Sequence, residues 1–349
     1  MLTLAQIGCG YWGPNLLRNF SAQPDARVKY VVEASAERRR YVRDNYPQTE
    51  AVESLDAVLA DSAVQAIVLA TPAATHAELA RRALAAGRHV FVEKPLARTI
   101  GEVDEIDALA RARGLTLMVG HTFLYNPAVL ALKEVIARGE LGRIYYLYAQ
   151  RLNLGVVRAD VNALWNLAPH DISIFNFLLD AAPVAVTAQG ADFLQPGVED
   201  IVFATFEYPG GVRANLQVSW LDPQKVRKVT LVGSRRMVVY DDVAEEKLAI
   251  YDKGIDAPGR DHVALPFDQP DTARLVYRSG AVQRPKLPTT EPLHAAARDF
   301  IEAIRDRRPP RADAAGGRAV VAALQAATLS LRENSRRVQL EEILRASAS

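Results

Sequence analysis

Two short stretches of this 349-residue chain carry side chains suited to moving a proton: Glu93-Lys94-Pro95 and His170-Asp171. An imidazole titrates near neutrality unaided, whereas a lysine becomes a base only after burial or a neighbouring positive charge lowers its pKa. A third stretch, GCGYWG at 8–13, offers close approach of backbone to phosphate. Its first glycine, Gly8, permits a tight turn. Gly10 lets the backbone come near a pyrophosphate, and Gly13 lets a following helix pack closely. Glu33 stands 20 residues past Gly13, where a ribose 2′-hydroxyl needs an acceptor. The same carboxylate opposes a 2′-phosphate by on the order of 1 kcal/mol at about 4 Å even in water, so NAD is expected rather than NADP. The basic run Arg38–Arg40 with Arg43 is the counter-signal, and we read it as a solvated helix face. Ahead of Trp165-Asn166 and His170, a polar stretch carries Arg151, Asn153, Arg158, Asp160 and Asn162. Its arginines suit a diphosphate or carboxylate. Asp160 and the asparagines suit sugar hydroxyls or an acetamido group.

The elements that must position these groups fall into two textures. Over residues 1–120, apolar runs LTLAQI, RVKYVVEA, AIVLA, HVFVE and LTLMV alternate with helical stretches. Pro14 suits a first helical turn, and Thr99 with Glu102 forms a capping box for a helix running to about Arg113. Buried strands separated by helices predict a parallel sheet covered on both faces. Ligands bind such sheets off the carboxyl ends of the strands, which is where Lys94 falls. Its Lys-Pro bond is a candidate cis peptide. After Gly120, helices are expected at about 127–138 and 168–180 around the polar loop, the second beginning near His170 with Asp171 as a helix N-terminal charge. Closely spaced strands follow, and Val212, Ala214, Leu216, Val218 and Trp220 alternate with polar residues as in a one-sided antiparallel strand. Helices at about 291–306 and 312–332 end the chain. The fold class is therefore α/β, with a dinucleotide-binding domain (1–120) and an α+β domain (121–349) for substrate binding and oligomerisation, built on a largely antiparallel open sheet. The last helices are placed to pack back on the first domain.

Composition narrows the partners. With 42 basic and 41 acidic residues, no global field marks nucleic acid or an anionic membrane. Cys9 is the only cysteine, which excludes an internal disulfide and a multi-cysteine zinc site. With no basic n-region and no long apolar run, a soluble, cytoplasmic protein is expected. His76 and Glu78 make no metal set. His89 and His121 read as structural, while His262 and His294 belong to no constellation.

In this order and spacing, GCGYWG, TPAATH, HVFVEKPLA, GHTFLYNPAV and WNLAPHD resemble the Gfo/Idh/MocA family of NAD(P)-dependent oxidoreductases, across most of the chain. The GYWGPN variant and the loop before WNLAPHD look most like the branch oxidising C3 of nucleotide sugars. The resemblance implies a Rossmann domain and a catalytic pair, Lys94 and His170. Of these, one accepts the hydroxyl proton as hydride leaves the same carbon, and the other stabilises charge on the oxygen. It also places Tyr11, Trp12, Thr71, Pro72, His76, Glu93, Trp165 and Asn166 along the cofactor. Tyr125, Arg158, Asp160, Asn162 and Asn166 fall at the substrate. A common family pattern has an Asp four residues before the His; here that place holds Asn166, which cannot share a proton. His170 is the favoured base, needing less tuning than Lys94. A ketoreductase, a free-sugar or cyclitol dehydrogenase, and a non-catalytic NAD(P)-binding sensor are the rival readings. No metal is expected, and a homodimer or homotetramer is.

Overall fold

The computed structural model describes residues 1–256 and 276–346; His262 lies outside them. The first half alternates as the apolar runs dictate: β1 (Leu2–Ile7), α1 (Gly13–Ser21), β2 (Ala26–Val32), α2 (Ala36–Asn45), β3 (Glu50–Val52), α3 (Leu55–Ala60), β4 (Ala66–Leu69), α4 (His76–Ala85), β5 (His89–Val92), α5 (Ile100–Ala112) and β6 (Leu117–Val119). The strands form a six-stranded sheet in the order β3-β2-β1-β4-β5-β6, every pairing parallel. The order reverses beside β1, so the crevice at its carboxyl end is the ligand-binding switch point of a doubly wound sheet. The Thr99 capping box is present in full, satisfying two otherwise orphaned amides at the start of α5. The short β3 and α3 were not legible in the sequence.

The remainder comprises α6 (Pro127–Ala137), β7 (Ile144–Leu152), α7 (Ala163–Leu179), β8 (Ala185–Ala191), β9 (Ile201–Glu207), β10 (Arg213–Ser219), β11 (Val226–Gly233), β12 (Met237–Asp241), β13 (Leu248–Asp256), β14 (Val276–Gln283), α8 (Pro292–Arg305), α9 (Ala314–Arg332), β15 (Val338–Gln339) and α10 (Leu340–Ala346). Its nine-stranded sheet runs β14-β13-β12-β11-β7-β10-β9-β8-β15. Pairings are antiparallel except β10 with β7, so β10 is antiparallel on one side only. Ala214, Leu216 and Val218 are buried as its alternation demands.

Three elements differ from the sequence expectation. Strand β7 occupies what reads as the approach to a polar loop, so Arg151 is a strand residue. Helix α7 begins at Ala163, capped by Asn162, and not near His170. Pro169 sits inside that helix; a proline removes one helical hydrogen bond, which is why the start looked later. His170 and Asp171 are therefore in mid-helix, and Asp171 is no N-terminal charge.

The two sheets are locked together by the last helices. Phe300 of α8 meets Phe20 of α1 and Phe91 of β5 edge to face, at 6.2 and 5.8 Å between centroids, geometry that aromatic quadrupoles favour. Glu291 accepts two bonds from Arg18 and one from Asn19. Helix α9 is the one helix among the described residues long and apolar enough to cross a membrane. It is instead a core helix, packed on β8, α7 and α5.

Candidate active site

The glycine loop has the form of a dinucleotide cradle. Gly8 holds φ +89°, and a Cβ there would stand 2.6 Å from the Ala70 carbonyl oxygen, so no other residue fits without displacing β4. A Cβ on Gly13 would meet the Gly8 carbonyl oxygen at 2.9 Å, whereas one on Gly10 would enter open space. The loop is thus tight against the protein at its two ends and open at Gly10, where a pyrophosphate would approach. Helix α1 starts directly behind it with no side-chain cap, with Pro14 in its first turn and the Asn15 amide on the Trp12 carbonyl at 3.0 Å. Glu33 ends β2 with one carboxylate oxygen on the Cys9 amide (2.7 Å) and the other on the Ser35 amide (2.9 Å), which aims the acid at the loop. These residues fit NAD or NADP. When bound, the nicotinamide would supply the hydride acceptor or donor.

The basic run of α2 divides. Arg39 bonds the Glu33 and Ala34 carbonyls and pairs with Glu53. Arg38 reaches the Gly10 carbonyl at 3.5 Å. Arg40 and Arg43 are exposed. Tyr11 is also exposed, while Trp12 is anchored by its indole N–H on Glu93 at 3.0 Å. The His76 ring is buried between the carbonyls of Thr71 (2.9 Å) and Pro95 (2.8 Å). Donating its single N–H to one of these carbonyls and lying against the other, the ring spans the turn after β4, with Thr71 and Pro72, and the one after β5.

Lys94 follows β5 on a cis Lys94-Pro95 peptide. Its ammonium donates to the Asn166 carbonyl of α7 at 2.8 Å, crossing between the two halves. Burial lowers its pKa to about 8; Glu93 pulls it up, while Arg151, Arg158 and Arg227 push it down. Glu93 is buried beneath, its pKa raised to about 7 by burial against the opposing pull of Lys94. Gly120 makes room for it, since a Cβ there would lie 3.0 Å from the carboxylate.

His170 comes from the middle of α7, its ring 4.8 Å from that of Phe123. The Arg151 guanidinium also lies over Phe123, 4.6 Å from the ring centre. Burial first, then Lys94, Arg151, His121 and Arg227, hold His170 well below its ordinary pKa. Imidazolium is thus disfavoured at His170 by burial and by the cations around it, and both members of the pair are shifted toward their uncharged forms. Beside them His121 is buried, with neither ring nitrogen bonded among the described residues. Burial and Lys94 lower its pKa to about 3.

Arg151 and Asp171 form a bidentate pair, 2.6 and 3.0 Å, almost fully buried. Neither was read as a site residue in this form. The legible signal was phase, since Arg151 follows Leu147 and Ala149 on the buried face of β7.

Several expected contacts are committed elsewhere. Tyr125 donates its buried hydroxyl to Asp299 at 2.6 Å. Trp165 donates its indole N–H to Thr328 of α9 at 2.9 Å. The Asn162 side chain caps α7 through the Trp165 amide and donates to Glu199. Arg158 and Asp160 pair with each other, half-exposed, at 2.8 and 2.6 Å. The Asn166 amide oxygen accepts from the Trp220 indole at 3.2 Å, which orients the turn that holds Lys94.

Comparison with known proteins agrees with this geometry. Residues 2–121 match the model described as oxidoreductase family, NAD-binding Rossmann fold, and residues 129–239 match the GFO/IDH/MocA C-terminal domain. The chain is 30% identical to UDP-N-acetylglucosamine 3-dehydrogenase of Acidithiobacillus ferrooxidans, over 91% of this chain and 93% of that one. The crystal structure of that enzyme superposes with a TM-score of 0.78, covering 96% of this chain and 99% of that one at 26% identity. GenD2 from gentamicin A biosynthesis, solved in complex with NAD, gives a TM-score of 0.80 at 26% identity over 97% and 96% of the two chains. Inositol 2-dehydrogenase 2 of Saccharopolyspora erythraea is 28% identical over 62% of this chain and 66% of that one.

Proposed function

The chain belongs to the Gfo/Idh/MocA family of NAD(P)-dependent oxidoreductases acting on CH–OH groups, and we propose that this member moves hydride between nicotinamide and C3 of a UDP-linked sugar. The substrate is a UDP-N-acetylhexosamine or its uronate, with NAD as the cofactor. The carrying observation is the convergence of Lys94 and His170, from separate halves, with the Arg227 charge acting on both. The near full-length likeness to UDP-N-acetylglucosamine 3-dehydrogenase supports the choice of substrate.

In the oxidative direction the uncharged Lys94 amine accepts the C3 hydroxyl proton. The neutral His170 ring hydrogen-bonds the same oxygen and holds it as the carbonyl forms. Asn166 positions Lys94 through its carbonyl and takes no proton, as an amide cannot. In reduction the Lys94 ammonium returns the proton. The face of the second sheet carrying Tyr146, Tyr148 and Phe203, each partly exposed, is where a second copy would dock to make a homodimer or homotetramer, to be read by sedimentation.

The deciding experiment is NAD reduction with UDP-N-acetylglucosamine and its uronate against N-acetylglucosamine, glucose and myo-inositol. Turnover should be confined to the UDP-linked sugars, with a 3-keto product by NMR. Equal rates on free sugars or inositol would overturn the assignment.

A further inference from the structure

Two arginines stand directly opposite one another on neighbouring strands. Arg227 of β11 pairs in register with Arg151 of β7, one step beyond Val229↔Ala149 and two beyond Leu231↔Leu147. Opposed residues on antiparallel strands share a face. Leu147, Leu231, Ala149 and Val229 are all buried, so the core-facing row of this sheet ends in two guanidinium groups. Like charges in that relation are destabilising, and only one of the pair is fully answered. Asp171 takes Arg151 with two short bonds. For Arg227, the one acceptor among the described residues is Asp242, at 3.5 Å. That contact is to Oδ2, whereas the Tyr240 hydroxyl (3.1 Å), the Asn126 amide (3.4 Å) and Lys247 (3.5 Å) approach Oδ1, and the Arg227 side chain stays partly exposed. A guanidinium carries five N–H donors in a planar fork, and most of this one's remain unused.

We propose that Arg227 is the substrate-binding residue that takes an oxyanion of the sugar substrate beside Lys94 and His170, with the Arg151–Asp171 pair fixing the surface on which it stands. The inference rests on the nucleotide-sugar reading for the source of that oxyanion, a diphosphate or a uronate carboxylate; bidentate geometry fits either. It also reassigns the anion contact from Arg158, which Asp160 already occupies. Arg227 acts through space on both Lys94 and His170, which places its charge within their field.

The test uses Arg227→Gln and Arg227→Lys in the full-length protein, with circular dichroism and NAD titration as folding controls. Calorimetry with UDP alone reads binding without turnover. For a diphosphate contact, Arg227→Gln should raise the UDP Kd and the KM for UDP-N-acetylglucosamine roughly 10- to 100-fold. kcat should stay within about threefold, and Arg227→Lys should recover part of the loss. For a carboxylate contact, the KM for the UDP-linked uronate rises alone and the UDP Kd is unmoved. Unchanged values for all three would overturn the proposal. If wild-type protein prefers free sugars, the nucleotide-sugar reading falls, and Arg227 is then judged by glucuronate against glucose: a KM loss confined to glucuronate upholds it, and none overturns it. Should Arg227→Gln fail to fold, the wild-type UDP Kd is measured from 50 to 500 mM salt; a constant affinity overturns the oxyanion contact.

Discussion

The loop from Gly8 to Gly13 closes on itself within one turn of chain, whereas the charged cluster opposite is assembled from Lys94, His121, Arg151, His170, Asp171 and Arg227. The first is held by backbone: a positive φ at Gly8, a carbonyl too near for any Cβ, and open space only at Gly10. The second is held by side chains crossing between distant elements: Lys94 on Asn166, Arg151 on Asp171, Phe123 against both a guanidinium and an imidazole. The signs differ too. Acids, Glu33 and Glu93, mark the cofactor edge, and an excess of cations marks the substrate edge. A local device tolerates change elsewhere in the molecule; a dispersed one depends on every element that brings it together.

The largest expected effects fall on the dispersed cluster. Lys94→Ala and His170→Ala should each lower kcat by about 10²–10⁴-fold, while NAD affinity, set by the glycine edge, stays within about threefold by calorimetry. If Lys94 is the proton acceptor proposed above, oxidation by the wild type should rise about tenfold per pH unit up to roughly pH 8 and then level, as the amine loses its charge. Reduction should show the opposite slope. A pH–rate limb that persists in Lys94→Ala would assign the proton to another group.

Asp171→Asn comes next. It leaves the Arg151 guanidinium buried beside a neutral amide, and removing one partner of a buried pair costs about 3–5 kcal/mol. Urea denaturation should show that loss, and the double change Arg151→Met with Asp171→Leu should recover much of it without recovering activity. Stability unchanged in Asp171→Asn would mean the cluster is less dependent on its crossing contacts than the comparison holds.

Gly8→Ala probes the other side. A residue forced to positive φ costs about 1–3 kcal/mol, and the clash with Ala70 adds loss of NAD affinity, both measurable by thermal melting with and without cofactor. Normal NAD binding in that variant would break the contrast. The smallest effect belongs to Glu33→Ala, which should narrow the preference for NAD over NADP by about 1 kcal/mol, or several-fold. NADP bound by the wild type as tightly as NAD would remove the acid from cofactor selection.

Most of the parallel half was legible because its signals are short-range. Strand runs, the Thr99–Glu102 cap and the glycine turn each report on residues within a few positions. The substrate side was legible in residue identity but not in arrangement. Pro169 disguised the first turns of α7, and β7 hid in a segment whose aromatic residues face outward on alternate positions. The polar stretch from Arg151 to Asn162 therefore read as one ligand loop. In the fold it separates into a buried pair, a self-paired Arg158–Asp160, and a helix cap.

The sequence by itself determined the two-part architecture, the dinucleotide cradle and the identities of Lys94 and His170, since periodicity, glycine stereochemistry and motif order are properties of adjacent residues. Only the tertiary structure decided the electrostatic surroundings of the two, because a pKa is set by burial and by charges that arrive from other strands and helices. It alone decided, too, that Arg151 is held by a buried bidentate carboxylate while Arg227 has a single longer contact, to Asp242 at 3.5 Å. Both arginines occupy the same phase of their strands, and what separates them is a carboxylate that α7 delivers to one and not to the other.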